Sequence, residues 1–213
     1  MWIRGSVSGG GIAASFTQYT ESRVWLENVT FEENHSDTGG AIDAVYNVHT
    51  GDKGIPRLKF SGIPVDPSLT FFNTTFQRNN STDGGSVHFD GIQALFQGVN
   101  MQENVASESG GGLYIIGGSV VRIINGSFSS NNARHGGGLM IDQQSMLHCT
   151  SCLIEGNTAE ENGGGVCISA QRYDAQPIAF QCDACDFINN TAAMGGTSYI
   201  HCVIFATEVD FVA

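Results

Sequence analysis

Proline and positive charge are both scarce in this chain. Its 213 residues include 4 Pro, too few for a polyproline linker or a collagen-like segment. Lys and Arg together number 9 against 21 Asp and Glu, giving a formal charge of -12 that repels phosphate backbones and argues against nucleic acid as a partner. No apolar run approaches the roughly 18 residues a membrane-crossing helix needs. The opening "MWIRGSVSGGG" lacks the apolar core of a secretory signal. A helical stripe is also missing, because glycine pairs and β-branched residues interrupt every window long enough for one. No HExxH, nucleophile elbow, phosphate loop or calcium-binding GGxGxD nonapeptide occurs, so the chain calls for no cofactor.

What is present is glycine, 28 residues, and a repeat. "FEENHSDTGGAIDA" from Phe31 is rewritten as "FQRNNSTDGGSVHF" from Phe76 and "MQENVASESGGGLYI" from Met101. It recurs as "FSSNNARHGGGLMI" from Phe128, "IEGNTAEENGGGVCI" from Ile154 and "FINNTAAMGGTSYI" from Phe187. An incomplete copy, "GGGIAA", starts at Gly9. The asparagines of FxxN fall at 34, 79, 104, 131, 157 and 190, spaced 45, 25, 27, 26 and 33. The basic unit is therefore near 26 residues, and the two long intervals hold loop inserts at 47–69 and 170–177.

A unit of that size with two or three short alternating strands and tight turns predicts one coil of a parallel β-helix. The whole chain, 1–213, reads as one all-β solenoid domain of about seven coils. It enters its repeat partway through a copy, which predicts a segment of a longer protein. Stacking would set Leu26, Val29 and Phe31 over Phe71, Thr74 and Phe76, and those over Phe96, Val99 and Met101, about 4.8 Å apart. The FxxN asparagines would stand at a turn with unusual backbone angles and bond to one another from coil to coil. The glycine pairs fit a corner of positive φ, or one where a side chain would crowd the next coil.

Paired FxxN and GGA(I/L/V) motifs, here Phe31 to Asn34 with Gly39 to Ile42 and so on to Phe187 to Asn190 with Gly195 to Ser198, resemble the repeats of the chlamydial polymorphic outer membrane proteins. They are similar also to repeats of pectin-lyase-like β-helix proteins. The resemblance covers nearly the whole chain. It implies a right-handed helix, a sense the crossover rule shares, and surface structural proteins, passenger domains and adhesins more than enzymes.

All six cysteines lie in the last third. Cys149 and Cys152 precede Ile154 by five and two positions, as Cys182 and Cys185 precede Phe187. Stacking would form two interior columns, so Cys149–Cys182 and Cys152–Cys185 are the preferred disulfides, with Cys167 and Cys202 paired by elimination. Reduced core thiols and a zinc site are the alternatives. Disulfides would place the chain in an oxidising compartment. Sequons occur at Asn28, Asn34, Asn73, Asn79, Asn80, Asn125 and Asn189; of these Asn28, Asn73, Asn80 and Asn125 are the better glycan acceptors, and their use would make this a eukaryotic secreted glycoprotein.

The nearest catalytic candidates are Asp90 and Asp142, each six residues after the first Gly of its copy, with Asp43 and His88 close in register. Two coils, roughly 10 Å, would separate them, with Ile116 between. An aspartate ending a strand is more often a solvated turn residue. The bases Arg122, Arg134 and Arg172 do not obviously complete a polysaccharide lyase or hydrolase site, and Tyr114 and Tyr199 share one outward register three coils apart. The sequence thus predicts an extracellular or cell-surface structural or adhesive rod whose partners are other subunits, further coils of its own chain or glycans. A carbohydrate-active enzyme on the same scaffold is the alternative.

Overall fold

In the computed structural model the described residues are 2–8, 11–16, 23–46, 69–142, 145–169, 179–196, 198–200 and 210–211. Among them every regular element is a strand, none is a helix, and all ladder pairings are parallel. The two inserts, Leu69 excepted, fall outside this set, and Cys202 falls outside it too; Leu69 opens a strand.

A complete coil has four short strands. In one it runs Leu69–Phe72, Thr75–Gln77, Asn80–Asp83 and Val87–Asp90. The next runs Gln93–Gln97, Asn100–Gln102, Val105–Ser109 and Leu113–Ile116. Each strand pairs with its counterparts in the coils before and after, the topology of a parallel β-helix. The solenoid has about five turns, not seven. The outer copies contribute fewer described strands than the four a full coil needs. The continuous strand Val24–Glu32 runs through a corner that later coils break, and so joins the sheets of first and second strands into one.

Alternation sets which residues enter the core. In Gln93–Gln97, Ala94 and Phe96 point in while Gln93, Leu95 and Gln97 stand half-exposed. The column Phe31, Phe76, Met101, Phe128, Ile154 and Phe187 is wholly buried. Beside it runs Leu26, Phe71, Phe96, Ile123, Cys149 and Cys182. Equivalent rings stack face to face, Phe31 on Phe76 at 5.0 Å and Phe71 on Phe96 at 4.4 Å between centroids.

Three corners within the coil bend through left-handed residues, and the passage from a fourth strand to the next coil does so at Gly91, Gly117 and Gly118. The first uses Asn28, Asn73, Gly98, Asn125, Ser151 and Ala184. The second uses Glu33, Arg78, Glu103, Ser130, Gly156 and Asn189, so the strained angle lies on the residue before each FxxN asparagine, contrary to the expectation that the asparagine itself would adopt it. The asparagine needs an ordinary backbone because its amide is aimed inward along the stack. The third corner explains the glycine pair by both proposed reasons at once. The first glycine is left-handed, φ +64 at Gly110, while a Cβ on the second, Gly111, would lie 2.2 Å from the Gly137 carbonyl oxygen of the next coil.

Candidate functional site

The second corner carries the most ordered polar array. Asn34, Asn79, Asn104, Asn131, Asn157 and Asn190 are buried and bonded in series. Asn104 shows the pattern: its backbone N–H and Nδ2 donate to Asn131 Oδ1 at 3.0 and 2.9 Å, and Nδ2 also donates to the Phe76 carbonyl at 3.0 Å. Its own Oδ1 accepts from Asn79 backbone N–H and Nδ2, both at 3.0 Å. Each amide is thereby satisfied only by its neighbours in the stack. This is a structural spine, and it occupies the sequon asparagines Asn34 and Asn79. The sequons of the first corner are placed differently: Asn28, Asn73 and Asn125 are exposed on left-handed residues, and Asn80 is half-buried in a third strand.

Outside the spine, charge is arranged in short axial runs. Arg78 meets Glu32, Glu33 and Glu103 from the coils on either side, and Arg134 meets Glu108 and Glu161. His148 Nε2 lies 2.6 Å from Asp183 Oδ2. These are exposed or half-exposed contacts, each coupling adjacent coils weakly.

The fourth strands place Asp43, His88, Tyr114, Met140, Cys167 and Tyr199 in one register column. His88, 8% exposed, faces Asp43 with Nδ1 2.7 Å from Oδ1, and Thr38 Oγ1 donates to the other oxygen at 3.2 Å. The His88 ring packs on Tyr114 at 5.5 Å between centroids. Burial pushes the Tyr114 phenol well above its usual range, and the negative charges of Asp142, Asp83 and Asp90 add to that. The chain therefore loses stability as pH rises above about 10, where an unfolded tyrosine ionises and the folded one resists. Tyr114→Phe is expected to flatten that loss in urea titrations between pH 9 and 11, and an unchanged slope would show that Tyr114 is not its source.

Asp90 and Asp142 do not meet. Asp90 pairs in register with Ile116, as expected from the repeat, and Asp142 with Ser169. The Asp90 carboxylate lies over the next corner, where a Cβ on Gly117 would come 1.7 Å from Oδ1, and Asp142 is 5% exposed. Arg122 is exposed on a first strand and Arg134 is engaged on a third, while Arg172 lies outside the described residues. In the sequence Asp43 and His88 were visible only as register, and Thr38 gave no signal. Asp83 gave no signal because its approach to Tyr114 crosses a corner that no strand period describes.

Cys149 pairs directly with Cys182, and Cys152 N–H donates to Cys185 Sγ at 3.4 Å. Cys167 sits apart on the fourth strands, opposite Met140 and Tyr199. The five described cysteines are buried thiols. Among the described residues no group of three or more His, Cys, Asp or Glu side chains is arranged as a metal centre.

The family model for the Chlamydia polymorphic membrane protein repeat matches residues 28–45 and 151–169. No curated protein and no solved structure matches. Each matched segment runs from the first corner, through FxxN and the glycine corner, to the fourth strand, the span that builds spine and core in every coil. The two matched repeats are thus similar to the Chlamydia polymorphic membrane protein repeat, and the chain that carries them is wound into a parallel β-helix.

Proposed function

We propose that the chain is a cell-surface structural or adhesive rod, glycosylated on one corner and contacting other subunits, further coils or glycans through its flanks and the inserts at 47–69 and 170–177. The observation that carries this reading is the polymorphic membrane protein type of the repeat, since the matched family is one of membrane proteins. The geometry supports it. Each coil bonds to its neighbours along the axis through backbone ladders and an amide spine, which stiffens the stack in the direction a stalk or adhesin must bear load. We read the protein as a non-enzyme, because its two candidate carboxylates stand two coils apart on either side of Ile116.

Asn28, Asn73 and Asn125 occupy equivalent first-corner positions, so sugar there would form a stripe along one edge and leave the other faces open for contact. Brief protease treatment of intact source cells tests the location: digestion of this chain before lysis is expected, and full protection until lysis would overturn the proposal. Intact-mass analysis before and after enzymatic glycan removal tests the stripe. A mass loss carried by peptides containing those asparagines is expected, and unmodified peptides at all three would remove it.

A further inference from the structure

The cysteine spacing predicts two columns, and the structure sets the two side by side at one corner. Cys149 and Cys152 flank the first corner of one coil, and Cys182 and Cys185 flank the same corner of the next. Cys149 is the ladder partner of Cys182, and Cys152 and Cys185 are joined by the N–H to Sγ contact of 3.4 Å. Cys149 also interacts with Cys152, and Cys182 with Cys185, across the corner of each coil, so the four thiols form one cluster. All are at most 2% exposed.

We propose that Cys149, Cys152, Cys182 and Cys185 form a single four-thiol oxidation site that closes into two parallel disulfides, Cys149–Cys182 and Cys152–Cys185, locking two successive coils at their first corner. This goes beyond the surface-rod reading and stands whether or not that reading does. Two closures share the cluster, along the axis or within each coil, and they exclude one another because each sulfur can form one bridge. The axial closure follows the parallel ladder, whose spacing of about 4.8 Å lies inside the Cα range of disulfides. The in-coil closure would bridge across Ser151 and Ala184, both held left-handed, and would leave the coils unlinked.

Each bridge forms in two displacements on a small disulfide such as glutathione disulfide. A cysteine thiolate attacks it and expels one glutathione thiolate; the partner cysteine, deprotonated, attacks the mixed disulfide and expels the second. Two protein thiols are oxidised and one small disulfide is reduced to two thiols. Because the sulfurs are buried, these steps must precede or accompany docking of the second coil. Within the cluster, bonds from Cys152 and Cys182 hold the Cys185 thiol below its usual range. Cys149 is raised by its contacts with Cys152 and Cys182 and by burial, so the four thiols are not equivalent.

The test is to refold the reduced chain with a mixture of oxidised and reduced glutathione, alkylate in denaturant, digest and identify linked peptides. Peptides joining 149 to 182 and 152 to 185 are expected, with four fewer hydrogens in total on the cluster. Alkylation of all four cysteines, or bridges within 149–152 and 182–185, would overturn the proposal. In Cys182→Ser the 152–185 link is expected to persist while Cys149 becomes alkylated; loss of both links in a chain that still shows the native β-sheet circular dichroism would show that the two bridges are not independent parallel closures.

Discussion

Asn104→Ala is expected to destabilise the protein by about 3–6 kcal/mol, most of the stability an ordinary domain possesses. The size follows from what the side chain leaves behind. Its Oδ1 is the acceptor for the Asn79 backbone N–H and Nδ2, and its Nδ2 serves the Phe76 carbonyl, all inside the second corner where water does not reach. Each orphaned buried group costs roughly 1–3 kcal/mol, and alanine replaces none of them. The neighbouring Asn132 is exposed, and Asn132→Ala is expected to stay within about 0.5 kcal/mol. Urea unfolding of both variants makes the comparison, with amide exchange at Asn79 as the local readout. A loss below about 1 kcal/mol for Asn104→Ala would show that the spine contributes little beyond the strand ladders.

Gly111→Ala is the second large effect, about 3 kcal/mol and at the upper end of what overpacking costs. The added Cβ would meet the Gly137 carbonyl oxygen at 2.2 Å and that of Asn132 at 2.6 Å, both backbone atoms of the following coil. Neither can turn aside without breaking the ladder, in which Gly111 N–H donates to the Gly136 carbonyl at 3.0 Å. The same conflict recurs at Gly40, Gly85, Gly137 and Gly164, so the position is closed to side chains in five coils. Gly98 offers the contrast. It is left-handed, as Gly111 is not, but the nearest atom to its Cβ is the Asn73 side-chain oxygen, and asparagine already stands at that corner in three other coils. Gly98→Asn is therefore expected to shift the thermal midpoint only slightly while Gly111→Ala lowers it by many degrees; equal shifts would mean that close approach between coils is not what selects glycine.

Much of this was legible in the residues because a solenoid repeats its environment. A position that faces the core in one coil faces it in all, so Phe31, Phe76, Met101, Phe128, Ile154 and Phe187 announce an interior column by recurrence alone. The FxxN asparagine announced a ladder for the same reason, and the cysteine spacing announced columns. What failed were statements about single corners. The left-handed angle sits on Glu33 and Arg78, not on Asn34 and Asn79, because those amides must point along the axis. Nothing in Glu33, Arg78, Glu103 or Ser130 as residue types signals a positive φ.

The candidate site was less legible than the fold. Asp90 and Asp142 recur at one offset and so looked like a pair, but recurrence in a solenoid means stacking, and the coil between them contributes Ile116. His88 beside Asp43, and Tyr114 raised by burial and then by Asp142, Asp83 and Asp90, depend on side chains leaning across strands and corners.

The sequence by itself determined the coil length, the inward columns and the asparagine spine, since each is a one-dimensional periodicity that a stack converts directly into contact. Only the tertiary structure decided which carboxylates gather around Tyr114, which residue of each corner takes the strained angle, and that two cysteine columns form one cluster. Those are contacts between columns. Their distances are set by how each corner bends in space, and no period along the chain encodes that bend.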